Sequence, residues 1–192
     1  MKQQIKQPWQ ECKLEDIGRF QYGYTASTKQ DNTGFKFVRI SDIEENGSIN
    51  WKTVPFCNIN SGEFEKFKLD YGDILFARIG ATTGKTTFID KKEKAVFASY
   101  LIRFTVNQGI DSKFVYYFTQ SRYYWNQAFK QREGQLKKGM NANTLSQIDI
   151  SIPKFKEEQT AIAKILSTTD EALEALERER DWQQNGSGEV LW

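Results

Sequence analysis

The segment Gly80-Ala81-Thr82-Thr83-Gly84-Lys85-Thr86 contains the glycines, the lysine and the threonine of a phosphate-binding loop. The nucleotide-binding motif needs four residues between its glycines, because successive backbone N–H groups must curl around the phosphate. Only three residues stand there, and the following Thr86-Thr87-Phe88-Ile89 is typical of a strand rather than of the required helix. The segment therefore predicts the turn of a β-hairpin, flanked by Arg78 and Lys85, and not a nucleotide site.

Other catalytic patterns are incomplete. The chain contains no histidine, which excludes His-based triads, His general bases and His-containing metal sites. Cys12 and Cys57 are too few for a zinc site, and we expect free thiols because residues 1–10 lack the apolar core of a signal peptide. Glu11-Cys12-Lys13 supplies only half of a common nuclease site, since no acidic residue precedes it. We therefore expect neither an enzyme nor a cofactor in this chain.

The charge distribution is asymmetric along the 192 residues. Residues 154–192 hold five basic and nine acidic residues, a net charge of −4, whereas residues 1–153 hold 22 and 16, a net charge of +6. A basic body followed by an acidic segment is a modest sign of nucleic-acid binding. No run approaches the 18 apolar residues that a membrane span needs, so we expect a cytoplasmic protein.

The basic surplus is concentrated between residues 112 and 138. This stretch carries a net charge of +5, and four tyrosines accompany the basic residues. It begins with a predicted helix from Asp111 to Gln131, capped by Asp111 or Ser112, and ends in a glycine-broken polar loop. Such a stretch suits phosphate contact and base stacking, although a solvated loop is an equally simple interpretation.

The coarse element pattern predicts an α+β protein. Residues 1–106 favour mostly β structure, including an alternating strand over Phe35–Ile43 and an entry segment that buries Trp9, Leu14 and Ile17. Near the end, Ile148, Ile150 and Ile152 predict a further strand, which Pro153 stops. We expect a mixed, mostly β domain over residues 1–153, a long coiled-coil-type helix over 154–184, and a frayed or vector-derived end over 185–192.

The long helix has an apolar seam. Its members recur at steps of four and three residues, which is the heptad spacing of a helix that packs along a partner helix. Ser167-Thr168-Thr169-Asp170 has the spacing of a capping box, which predicts a break after a short first helix ending at Leu166. The seam residues are Ile162, Leu166, Thr169, Leu173 and Leu176.

The order of motifs resembles a known family. A target-recognition domain has a similar order of segments, which here are Trp9 with Leu14–Ile17, then Gly23–Ser27, then Ile40–Ile43. The stretch Gly72–Lys85 is similar to that domain's most identifiable segment. The segment from Asn143 through Pro153 to Asp170 resembles the family's junction of domain and helix. The family is the specificity (S) subunit of type I restriction–modification systems. One departure is Ala26, where the family's recognition loop has proline.

The resemblance implies a non-catalytic subunit whose recognition domain reads one half of a split target in double-stranded DNA. It also implies a partner methyltransferase (modification) subunit, to which any S-adenosylmethionine would belong. A complete subunit of this family has two domains and two spacer helices, whereas this chain has one of each. The resemblance therefore suggests a half-subunit that forms a homodimer through its helix, which would give a palindromic split site.

We predict DNA contacts from the Thr25–Lys29 loop, the hairpin tip and the Arg132–Asn143 loop. Basic side chains would fix the register through phosphates, while polar amide side chains could read adenine. The same residues also have structural interpretations, namely turn capping, hairpin packing and the capping of a short turn after Asn143. The predicted contact residues are Thr25, Ser27, Lys29, Arg78, Thr82, Thr83, Lys85, Arg132, Gln135, Lys137, Lys138, Asn141 and Asn143.

Two alternatives from other classes remain open at this point. The chain could be the DNA-reading domain of a longer fused restriction–modification enzyme, which would carry its catalytic residues elsewhere. It could also be an interaction module that does not bind DNA and whose helix only oligomerises. A phosphate-binding protein shows a steep dependence of affinity on salt, whereas an interaction module does not.

Overall fold

The computed structural model describes residues 9–133 and 139–186. Ten strands and six α-helices lie in this part of the chain, together with one 3-10 helix at Ile40–Asp42. In order they are β1 (Trp9–Lys13), α1 (Leu14–Ile17), β2 (Gly18–Tyr22), β3 (Thr28–Lys29), β4 (Lys36–Val38), β5 (Phe56–Cys57), α2 (Ser61–Phe67), β6 (Ile74–Ala77), β7 (Thr86–Phe88), β8 (Ala95–Phe97), β9 (Leu101–Val106), α3 (Ser112–Gln120), α4 (Arg122–Glu133), α5 (Ala142–Ser146), β10 (Asp149–Pro153) and α6 (Lys156–Gly186).

The strands form three sheets. One antiparallel sheet has the order β2-β9-β6-β7, and a second sheet has the order β3-β5-β4-β8, in which β4 and β8 are parallel. The third is an antiparallel ribbon of β1 and β10, in which Trp9 lies opposite Pro153. This ribbon ties the start of the described chain to the segment that leads into α6. The predicted mixed, mostly β domain with a long terminal helix is confirmed.

The largest hydrophobic core lies between the first sheet and the helices. Strand β6 is buried along its whole length, and Ile148, Ile150 and Ile152 are fully buried, as their alternation predicts. Leu14 and Ile17 also enter this core. Trp9 does not, because it remains 36% exposed at the end of the two-stranded ribbon. The prediction that Trp9 is buried is therefore wrong.

The predicted strand over Phe35–Ile43 is shorter than expected. Only Lys36–Val38 is extended, and the chain then enters the 3-10 helix at Ile40–Asp42. The buried Asp42 carboxylate accepts a hydrogen bond from the backbone N–H of Arg39 at 2.8 Å and another from its guanidinium at 2.7 Å. A side chain that binds the nearby backbone in this way competes with a strand ladder, which explains the turn.

The predicted helix from Asp111 to Gln131 is two helices, α3 and α4. Ser121 between them is extended, with φ −75° and ψ 153°, and its hydroxyl accepts a hydrogen bond from the backbone N–H of Tyr124 at 3.2 Å. Serine is a favoured cap because its side chain satisfies a free N–H group of the first helical turn. Ser121 therefore ends one helix and starts the next, although the apolar spacing runs through it.

Helix α6 is continuous, so the predicted break at Ser167–Asp170 is wrong. The Thr169 hydroxyl donates to the carbonyl of Ile165 at 2.9 Å, which is compatible with an uninterrupted helix. The Asp170 carboxylate accepts a hydrogen bond from the Tyr117 hydroxyl at 2.9 Å. It serves a contact with α3 rather than a cap within α6.

Candidate nucleic-acid interface

Residues 78–85 form the tip of the hairpin between β6 and β7, as the sequence predicts. Gly80 and Gly84 have positive φ angles of 83° and 93°, which glycine adopts without the steric cost of a side chain. The Thr83 hydroxyl crosses the turn and donates to the carbonyl of Gly80 at 2.7 Å. A side chain at Gly84 would also lie 3.1 Å from the ring of Trp125. The tip is therefore a tight turn held against α4.

Tyr124 of α4 holds the tip of the hairpin in place. Its side chain is fully buried and its hydroxyl donates to the carbonyl of Gly84 at 2.7 Å. Burial raises the pKa of Tyr124, so the hydroxyl remains a donor at neutral pH. We expect Tyr124→Phe to lower the free energy of unfolding by about 1–2 kcal/mol, because a buried carbonyl loses its partner.

Urea denaturation of the purified chain measures this change. Tyr123→Phe is the matched control, because Tyr123 is 54% exposed and lies next to Tyr124 on the same helix. The control should leave the free energy of unfolding unchanged. Equal losses in the two variants would contradict the anchoring role of the Tyr124 hydroxyl.

Arg78 stands at the base of the tip. Its guanidinium carbon lies 4.9 Å from the centroid of the Tyr22 ring, and one guanidinium nitrogen donates to the carbonyl of Ser99 at 3.3 Å. Within the described residues Arg78 forms no ion pair with a carboxylate, and its buried Nε has no hydrogen-bond partner. The described part of the structure thus positions this cation without pairing it with a carboxylate.

The segment after residue 138 meets the hairpin at Arg78. The backbone N–H of Met140 donates to the carbonyl of Arg78 at 2.8 Å, and the N–H of Ala142 donates to the hydroxyl of Tyr22 at 3.0 Å. Gly139 allows this close approach, since a side chain there would lie 3.1 Å from the Arg78 carbonyl. Tyr22 therefore joins the hairpin to the loop that precedes α5.

Asn141 and Asn143 differ in what their side chains can do. Asn141 caps α5, and its Oδ1 accepts hydrogen bonds from the backbone N–H of Thr144 at 2.9 Å and from the Thr144 hydroxyl at 3.1 Å. A bidentate contact with adenine needs that same oxygen as an acceptor, so base reading by Asn141 would disrupt the cap. Asn143 lies two residues further on and is exposed. Of the two, Asn143 is the better candidate for a base contact.

The Thr25–Lys29 loop borders the same surface. Thr25, Ser27 and Lys29 are exposed, and a cavity of about 540 Å³ lies beside the loop. Its opposite wall includes Ser99 and Tyr100, and Arg78 binds the backbone of both, since its own N–H donates to the Tyr100 carbonyl at 3.1 Å. The structure thus brings three distant segments of the chain into one continuous surface.

Several of the predicted DNA-contact residues lie outside the described part of the chain, and one is buried. Gln135, Lys137 and Lys138 fall in residues 134–138, outside the described part, as does the side chain of Arg132. Thr82 is exposed and Lys85 is half-buried at the tip. Thr83 is only 1% exposed and its hydroxyl stabilises the turn, so we leave it out of the candidate contact surface.

The sequence reasoning missed two exposed aromatic residues, Tyr22 and Tyr100. They are 41% and 59% exposed, and both adjoin Arg78. Exposed tyrosines beside an arginine suit stacking and phosphate contact. Tyr22 ends strand β2, and Tyr100 lies in the turn between β8 and β9. The sequence pattern predicts that both residues stand at the ends of strands. That the two strand ends meet depends on the pairing of β2 with β9.

The seam residues of α6 lie mostly on its free surface. Ile162 is half-buried against the core, whereas Leu166, Leu173 and Leu176 are 39%, 54% and 62% exposed. Thr169 is exposed and forms only the helical contact described above. The helix faces the body with other residues, among them the buried Gln159 and Ala163. The apolar stripe is therefore accessible to a partner.

The described ranges contain neither a cluster of metal ligands nor a membrane-spanning helix. Nowhere in residues 9–133 and 139–186 do three or more His, Cys, Asp or Glu side chains come together as metal ligands. The helices of these ranges are all too short or too polar to cross a membrane. Cys12 and Cys57 are free thiols, and burial raises the pKa of both.

A basic and aromatic surface on a mostly β domain, followed by a long helix with a free apolar stripe, is typical of a DNA-recognition module. The family model described as "Type I restriction modification DNA specificity domain" matches residues 6–181. The chain belongs to this family.

Relatives agree with this assignment. The chain is 25% identical over 182 residues to a protein of Methanocaldococcus jannaschii that is named for the specificity subunit of the type I restriction enzyme MjaX. The match covers 92% of this chain and 43% of that protein. The chain thus spans less than half the length of this curated relative.

Solved structures share the fold. A chain from a study of complex assembly and conformational transition of the type I restriction–modification system superposes with a TM-score of 0.72, at 14% identity, over 95% of this chain and 43% of that one. The S subunit from M. genitalium gives a TM-score of 0.67 at 14% identity, over 91% and 42% of the two chains. The HsdS subunit from Thermoanaerobacter tengcongensis gives 0.64 at 14% identity, over 91% and 40%.

Proposed function

We propose that this chain is a non-catalytic DNA-binding subunit that reads one half of a split target and directs methyltransferase and restriction subunits to it. The observation that carries the proposal is the surface around Arg78, a cation with no carboxylate partner among the described residues, which lies over the exposed ring of Tyr22 and binds the backbone of the exposed Tyr100. Membership of the specificity family supports it. We further propose that the chain acts in the cytoplasm, together with the DNA that it would bind.

The proposed contacts have separate tasks. Lys29 and Lys85 neutralise phosphates and set the register, while Arg78 donates two parallel hydrogen bonds to a guanine edge. Asn143 and the Thr25 and Ser27 hydroxyls supply further polar contacts to bases. The chain needs no cofactor for this work, since S-adenosylmethionine belongs to the partner methyltransferase subunit.

A second copy of the chain is the proposed partner of α6. A single helix cannot cover Leu166, Leu173 and Leu176 by itself, and their steps of seven and three residues suit packing along another helix. An antiparallel pair related by a two-fold axis would present two identical reading surfaces. The target would then be a palindrome interrupted by a spacer of fixed length.

The test combines purification with selection. The chain is co-expressed with the methyltransferase subunit of a type I system from its own genome, and the complex selects from random duplex DNA. We expect a stable complex and enrichment of a two-part site, with an affinity that falls steeply as salt rises. A chain that forms no complex and enriches no half-site would overturn the proposal. Salt-independent binding to another protein alone would instead support an interaction module.

A further inference from the structure

Helix α6 is fastened to the body at a first point near its start. Asp111, the cap of α3, accepts a hydrogen bond from the Thr160 hydroxyl at 2.7 Å, and its backbone N–H donates to Gln159 at 2.8 Å. Gln159 is only 1% exposed, and its side-chain nitrogen donates to the carbonyl of Pro153 at 2.8 Å. The end of the ribbon, the start of α3 and the first turn of α6 are thereby joined.

A second point lies further along both helices. The Tyr117 hydroxyl of α3 donates to the Asp170 carboxylate of α6 at 2.9 Å. Burial and this hydrogen bond raise the pKa of Tyr117, so the phenol stays protonated and keeps its donor at any physiological pH. The contact also closes one side of a cleft between the body and α6, which Asp90, Lys113 and Glu174 help to line.

Two hydrogen-bonded attachment points define the direction of α6, and Ile162 and Ala163 pack against the core between them. Thr160 and Asp170 are separated by about 15 Å along the helix, at ~1.5 Å of rise per residue. Beyond Asp170 the side chains of residues 171–183 are all exposed, so the body supports α6 no further. If the distal contact is lost, we expect α6 to pivot about the contacts that remain at residues 159–163.

A small change in the angle of α6 moves its far end by a distance comparable to the rise of one base pair. Residue 183 lies about 35 Å beyond Thr160, so a tilt of roughly 5° moves it by about 3 Å. The rise of one base pair is ~3.4 Å. The angle at which α6 leaves the body therefore needs to be held to within a few degrees if a second reading surface is to keep one spacing.

We infer that the Tyr117–Asp170 hydrogen bond is a positioning contact that fixes the angle of α6 and thereby the number of base pairs between two half-sites. The inference rests on the proposed function, and it assigns Tyr117 a role that touches neither bases nor phosphates. Loss of the contact widens the choice of spacer and leaves the half-site sequence unchanged.

The first experiment is the selection from random duplex DNA, performed with the parent complex and with Tyr117→Phe. The parent should enrich one spacer length, and the variant should enrich the same half-sites at two or more neighbouring lengths. Asp170→Asn retains an acceptor oxygen and should keep the parent spacing, whereas Asp170→Leu should behave like Tyr117→Phe. Tyr123→Phe removes a hydroxyl from the exposed side of α4 and is the control.

The outcomes distinguish a failure of the positioning role of Tyr117 from a failure of the proposed function. A Tyr117→Phe variant that selects the same single spacer as the parent would overturn the positioning role alone. A parent that enriches no half-site would overturn the proposed function, and the role in spacing with it.

A second measurement needs no DNA. Spin labels are placed on cysteines introduced at the exposed positions Asn58 and Glu179, in a chain that carries Cys12→Ser and Cys57→Ala. Labelled chain is diluted in an excess of unlabelled chain, so that distances within one chain dominate. Pulsed electron resonance should give a narrow distance distribution for the parent and a broader one for Tyr117→Phe. Equal widths would overturn the inference.

Discussion

Arg78→Ala should weaken binding of the selected duplex by about tenfold to a hundredfold, because one bidentate arginine contact with guanine contributes ~1–3 kcal/mol of discrimination. The binding surface loses its best-positioned cation, which Tyr22 and the Ser99 carbonyl hold in place. Fluorescence anisotropy with the duplex enriched by the parent measures the effect. Thermal unfolding verifies that the variant is folded.

A charge-matched control distinguishes this contact from a general loss of positive charge. Lys92→Ala removes the same charge from the exposed loop between β7 and β8. This loop lies near the cleft between the body and α6, which Asp90 helps to line, and it is not part of the surface around Arg78. Lys92→Ala should change the affinity by less than about twofold. Arg78→Lys keeps the charge but loses the paired donors, so it should recover part of the affinity without the base preference. Equal losses from Arg78→Ala and Lys92→Ala would contradict a specific role for Arg78.

The double variant Leu173→Glu with Leu176→Glu should convert the proposed dimer into a monomer. Both leucines lie on the exposed stripe of α6, and two buried, unpaired carboxylates in a helix pair would cost several kcal/mol. Sedimentation measures the mass directly. The monomer should still bind a single half-site weakly, but it should lose the preference for two half-sites on one duplex.

The control for this variant adds the same two charges to a different face. Thr168→Glu with Ala175→Glu places them one heptad apart, about a third of a turn or more from the centre of the leucine stripe, at positions that are also exposed. This chain should remain a dimer with intact site preference. If both double variants sediment like the parent, then a surface other than the stripe holds the copies together.

Some features of this protein follow from the sequence because they depend on neighbouring residues. Three residues between Gly80 and Gly84, followed by β-branched residues, cannot form a nucleotide loop and do form a hairpin. Alternating isoleucines at Ile148, Ile150 and Ile152 produce a strand whose inner face is buried. The heptad spacing of Leu166, Leu173 and Leu176 requires only a regular helix, and that helix exists.

Other features depend on groups that are distant in sequence, so the local spacing of residues does not predict these features. Local spacing predicts a cap at Ser167–Asp170, yet Tyr117 takes the Asp170 carboxylate and the helix continues.

The candidate contact surface is the clearest case. The sequence determined that basic and polar residues occur at Thr25–Lys29, at Arg78–Lys85 and before Asn143, together with the motif order that marks the family. Only the tertiary structure decided that these segments meet, that Thr83 is buried, that Asn141 is occupied as a cap, and that Tyr22 and Tyr100 flank Arg78. The physical reason is that strand pairing between β2, β9 and β6 brings together residues that are up to about ninety positions apart, such as Gly18 and Val106, and no local pattern records that pairing.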